Sequence, residues 1–194
     1  RKYAYSIKDP GLRTILLNDS VDRLIRINDV FDLDVLNAER KRISQFLKDR
    51  GYYNFAEEFV SFQADTSFFD NRVNLTVSVD DALLKNDEEE VVPHKKYKIR
   101  NYLINPSYKA TDLSGDPLGQ KLDTLVDKNY TFIYTGKLKY KPELFYNLNR
   151  LKDSTYYSLQ NAEKTYRALN RLKQFSLINI GFTDTNLFGE DSIP

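Results

Sequence analysis

The strongest constraint on this chain is that it repeats itself. Phe31-Asp32-Leu33 and Tyr157-Ser158-Leu159 each set a capping residue behind an aromatic one. Each opens an amphipathic helix that leads straight into an aromatic strand. Each half also carries a Pro-initiated helix upstream, at Asp9-Pro10 and at Lys141-Pro142, where the missing proline N–H costs nothing. Two copies of one supersecondary unit explain this better than one large fold, and 194 residues give room for two small domains.

In the first half, Tyr3, Tyr5 and Ile7 alternate with Lys2, Ala4 and Ser6, the period of a half-buried strand. A short helix follows to about Asn18. The next helix runs from Phe31 to Arg50, with Leu36, Ile43 and Leu47 on one face and Arg40 between them. Asp34 and Glu39 lie towards its start and Lys48 and Arg50 at its end, an order that complements the helix dipole. Gly51 is the expected stop. Tyr53, Phe55, Phe59, Phe62 and Ala64 then mark an extended segment, Asp70-Asn71 a turn, and Val73, Leu75, Val77 and Val79 the cleanest strand of the sequence. The order is strand–helix–helix–strand–strand.

A polar, acidic connector at 86–93 separates the halves. The second half opens with a strand at Tyr97–Ile104, ended by Pro106. Residues 106–129 read as an insertion with a helical turn near Leu122 and Leu125. Tyr130, Phe132 and Tyr134 begin a strand that runs to about Leu138. A helix carries Leu144, Phe145 and Leu148, and Ser158 caps another that carries Tyr166, Leu169 and Leu172. Phe175–Phe182 alternates like a strand. The counterpart of Val73–Val79 is missing from the polar stretch Thr183–Pro194. The fold class is therefore α+β: two tandem modules, each in the order strand–helix–helix–strand–strand, a small mixed sheet with two helices on one face. The expected domains are 1–85, a linker at 86–93, and 94–194, the last carrying the 106–129 insertion and C-terminally truncated.

Composition removes several function classes. Twenty-nine basic residues nearly cancel twenty-eight acidic ones, for a net charge of +1. Nothing in that balance points to nucleic acid. Without cysteine there are neither disulfides nor thiolate ligands. The one histidine, His94, sits beside Lys95 and Lys96 and reads as an exposed loop residue. One imidazole cannot assemble a zinc site or support a nucleophilic triad. Seven glycines form no phosphate loop, and Asp112–Asp116 lacks the ligand spacing of a calcium loop. The expectation is no enzyme, no cofactor and no metal. No apolar run approaches the ~20 residues of a membrane span. With no methionine and a start at Arg1, the chain reads as a fragment or a processed form.

The run Phe31–Ile43, then Gly51-Tyr52-Tyr53-Asn54-Phe55, then Phe62-Gln63-Ala64-Asp65-Thr66 resembles a POTRA domain of BamA/TamA-like outer-membrane assembly proteins of Bacteroidetes type. Thr165–Leu169, Phe175 and Asn179–Phe182 resemble the next repeat. The resemblance implies periplasmic repeats ahead of an outer-membrane β-barrel. It also implies partners that are unfolded outer-membrane or exported polypeptides and accessory lipoproteins. Its exposed edge is the strand after the second helix, about Tyr53–Ala64 in the first domain and Phe175–Thr183 in the second. Extended clients would add there by backbone pairing. That assigns client binding to Tyr53, Phe55, Glu57, Phe59, Phe62, Phe175, Leu177 and Asn179, with Phe55, Phe59 and Phe62 also read as mostly core. Two other readings are a rigid spacer of a secretion or division protein and a carbohydrate- or surface-binding domain.

Overall fold

The computed structural model describes residues 3–19, 22–67, 73–85, 89–106 and 122–183. The chain divides into two compact units, Arg1–Lys95 and Lys96–Pro194. The fold class is α+β; the described residues form two small three-stranded mixed sheets, a two-stranded hairpin and four α-helices.

The first unit follows the order expected from its sequence. Strand β1 (Tyr3–Ile7) leads to helix α1 (Pro10–Asn18), helix α2 (Leu33–Lys48), strand β2 (Val60–Asp65) and strand β3 (Asn74–Val79). The sheet order is β1-β3-β2, parallel between β1 and β3 and antiparallel between β2 and β3. Asp9 caps α1 by accepting from the Gly11 and Leu12 N–H groups at 2.7 and 3.0 Å, and Asp32 caps α2 by accepting from Asp34. Gly51, at φ 101°, ends α2 in a conformation that costs other residues strain. Leu12, Leu16, Ile43, Leu47, Phe55, Val60 and Val77 make the core, each at 0 or 1% exposure.

Two expectations for this unit change. The acidic connector is partly a hairpin: β4 (Ala82–Lys85) pairs antiparallel with β5 (Glu89–Val92). His94, read as an exposed loop residue, is half-buried, with its ring 4.8 Å from each of Phe55 and Phe59. Its Nε2 lies 2.9 Å from the Asp80 carbonyl. Flanking lysines hid the apolar surface waiting for the ring. The Asp70-Asn71 turn lies outside the described residues.

In the second unit, β6 (Tyr102–Ile104), β7 (Leu122–Asp127) and β8 (Tyr130–Thr135) precede α3 (Pro142–Leu148) and α4 (Leu159–Arg171). The sheet order is β6-β8-β7. Leu122 and Leu125 therefore lie on a strand, and the helical turn expected there is wrong. Leu122, Thr124 and Val126 alternate with residues facing the helices, and β8 supplies a full antiparallel ladder. The rest of the expected insertion, 107–121, and Asp112–Asp116 within it lie outside the described residues.

Phe175–Phe182 is also not a strand. Side-chain alternation persists, with Ile178, Ile180 and Phe182 half-buried and Leu177, Asn179 and Gly181 exposed. A strand also needs a ladder, and none of the described strands pairs with these residues. Helix α3 opens on Pro142, and Ser158 Oγ caps α4 by accepting from Asn161 N–H at 3.2 Å. Phe132, Tyr130 and Phe145 form this unit's core, joined by Tyr102, Tyr146, Leu169 and Phe175.

Candidate functional site

Strand β2 is an edge of the first sheet, and the polarity of its backbone groups follows from one hydrogen bond. Asp80 N–H donates to the Phe59 carbonyl at 2.9 Å, which makes Phe59 and Asp80 a hydrogen-bonded pair. Such pairs alternate along an antiparallel ladder. Ser61, Gln63 and Asp65 therefore bond to β3, while the N–H and C=O groups of Val60, Phe62 and Ala64 point to the open side. Val60 is satisfied locally: its N–H donates to the Glu57 carbonyl, and its carbonyl accepts from Arg40 Nε at 2.8 Å. Among the described residues the open edge is thus short, four backbone groups at Phe62 and Ala64.

Helix α2 flanks this edge. The Arg40 guanidinium also donates to Asn37 Oδ1 at 3.1 Å and lies 5.7 Å from the Phe62 ring centre. At the far end, Asp65 Oδ1 accepts from the Ser67 hydroxyl and N–H at 2.7 and 3.0 Å, turning the chain off the sheet. The hydroxyl first, and then the N–H, hold the Asp65 carboxyl below its ordinary pKa.

Of the first-unit residues assigned to client binding, only Phe62 belongs to the edge strand. Tyr53 is in the turn after α2, and Phe55, at 1% exposure, is core. Glu57 and Phe59 form a short 3-10 turn, with Phe59 packed on the core. The strand begins at Val60, seven residues after Tyr53, because the Tyr52–Phe59 stretch is spent on turns that bury Tyr52 and Phe55. In the second unit, Phe175 packs against the rings of Tyr140 and Phe145. Leu177 and Asn179 are exposed and outside any ladder. There the edges are β6 and β7.

Two features had weak sequence signals. An apolar groove of about 510 Å³ is lined by Leu24, Ile27, Val30, Phe31, Leu36 and Leu75, among others. Its signal was the run of aliphatics in the 22–31 connection. Glu39, read as a dipole-complementing acid, is fully buried. It accepts from Arg42 Nε at 2.8 Å and from Leu24 N–H at 3.0 Å, and Arg42 reaches Asp19 at 2.5 Å. Burial opposes the Arg42 charge, but hydrogen bonds to Glu39 and Asp19 outweigh it and raise its pKa. This clip ties the end of α1 and the 22–24 connection to α2.

The architecture defines tandem POTRA-like modules. The chain is similar over its whole length to Haemophilus influenzae BamA POTRA3-5, at 14% identity and a TM-score of 0.51, covering 57% of that chain. It is likewise similar to BamA from Haemophilus ducreyi lacking POTRA domains 1-3, at 13% identity and a TM-score of 0.60, covering 27% of that chain. At such identities the likeness is one of fold. No family model and no curated protein matches the sequence.

Proposed function

We propose that this chain is a periplasmic docking element of an outer-membrane protein assembly or translocation machine, and not a catalyst. Its partners are unfolded outer-membrane or exported polypeptides and accessory lipoproteins. The parent protein carries the barrel. The two units, divided near Lys95, are its tandem modules. Extended clients add to β2 as a fourth strand, pairing with Phe62 and Ala64. The observation that carries the reading is the outward-facing N–H and C=O pairs of those two residues. Backbone pairing ignores client sequence, as a receptor of many barrel precursors requires.

The magnitude is modest. Four hydrogen bonds at about 0.5–1.5 kcal/mol each must offset the entropy of association. A single edge therefore binds weakly, with Kd of order millimolar or weaker. The test is a ¹⁵N NMR titration with a ten-residue peptide alternating threonine and valine, with a lysine at each end. Amide shifts should centre on Phe62 and Ala64. Ala64→Pro removes an outward N–H without touching the β3 ladder; it should change stability by less than about 1 kcal/mol and abolish the shifts. Undiminished binding to that variant would refute the proposal.

A further inference from the structure

We infer that Arg40 is a positioning residue that closes the open edge at Val60 and so fixes the register in which a client strand can add. The inference rests on the docking reading above. Along β2 the outward groups run in order Val60, Phe62, Ala64, and Val60 alone is fully occupied. Its N–H is held by the Glu57 carbonyl and its C=O by Arg40 Nε at 2.8 Å. The arginine is held in turn, with its second nitrogen on Asn37 Oδ1 one helical turn away and its guanidinium beside the Phe62 ring. A long charged side chain fastened at both ends occupies the place where a client's next N–H would have to sit. An incoming strand therefore pairs with Phe62 and Ala64 and stops.

The guard also has a cost that supports it. Covering a carbonyl that water would otherwise satisfy gains little stability, whereas leaving a longer edge open invites unselective pairing. The arrangement limits the ladder to two residues and one register. Clients slipped by two residues lose half their bonds. Specificity of register thus arises without reading client side chains.

The test uses the whole 194-residue protein and its Arg40→Met variant, which keeps the aliphatic stem over Phe62 and has no donor. The variant's fold is checked first by circular dichroism and thermal unfolding. In the free proteins, the Val60 carbonyl ¹³C resonance should move upfield in the variant, while that of Phe62 stays in place. The same threonine–valine peptide, carrying a nitroxide at one end, is then added. Wild type should show relaxation enhancement from one register. Arg40→Met should show a second register shifted towards Val60, with affinity raised about threefold to tenfold by one added hydrogen bond. An unmoved Val60 resonance, or one identical register in both proteins, overturns the guard and leaves docking intact. A peptide that binds neither protein, with Val60 moving as expected, overturns docking and the register claim together.

Discussion

The two sheets have the same strand order and different relations to their helices. In each, the first and second strands flank the third, the first parallel to it and the second antiparallel. In the first unit the helix pair lies between the first and second strands. In the second it follows the third. The consequence falls on whatever leaves the last helix. After α2 the chain turns, buries Tyr52 and Phe55, and enters the sheet as an edge. After α4, residues 173–183 join none of the described ladders. One local pattern thus gives an edge strand in one unit and, in the other, a segment outside the described ladders.

The outer faces differ too. Away from the helices, the first sheet presents Ala4, Ser6, Ser61, Gln63, Thr76 and Ser78. The second presents Leu103 at 70% exposure, Val126 at 66% and Leu122 at 51%. An antiparallel sheet that faces water on one side ordinarily alternates apolar and polar, as the first sheet does.

The interiors offer the sharpest way to break the comparison. The first unit buries an ionic clip, Glu39–Arg42–Asp19, whereas the second buries an uncharged one. There Asn149 donates to Tyr130 Oη at 2.9 Å and accepts from Leu151 N–H at 3.0 Å. Glu39→Ala leaves Arg42 with Asp19 alone and takes the acceptor from the Leu24 N–H, and should cost about 3–5 kcal/mol. Asn149→Ala should cost about 1–3 kcal/mol. Urea unfolding measures both, and equal losses would remove the distinction.

A smaller effect acts on the second unit at high pH. Burial first, and then the hydrogen bond to Asp127 at 2.5 Å, push the Tyr146 hydroxyl up to about 12. Burial also raises Tyr102 and Tyr130. A phenol whose folded pKa exceeds its unfolded value near 10 favours the folded state fully below that pH. That contribution fades as pH rises through the folded pKa. The second unit should therefore lose stability between about pH 10 and 12. Absorbance at 295 nm, followed alongside unfolding, checks this, and phenolate formation near pH 10 at Tyr146 would contradict it.

Much of the first unit was legible because its signals are local. Asp9-Pro10, Asp32 and Gly51 fix helix ends through contacts within a few residues. The alternation of Val73–Val79 marks a strand whatever its partners. Which segment pairs with which is a property of the whole sheet, so Phe175–Phe182 misled and Leu122–Asp127 was missed. Glu39 was misread because its helical position suits a dipole partner equally well. Only the approach of Asp19 and Leu24 makes it a buried anchor. Phe55 is core, as one of its two readings had it; its place on the edge strand was misjudged because aromatic spacing alone does not separate a turn that fills the core from a strand beside it.

The most direct test of the open-edge account is amide hydrogen exchange along β2, with and without saturating peptide. Free protein should protect the Ser61, Gln63 and Asp65 amides and exchange Phe62 and Ala64 rapidly, and peptide should slow those last two. Phe62 and Ala64 protected before peptide is added, or unchanged after it while signals in the 22–33 connection respond, would contradict it.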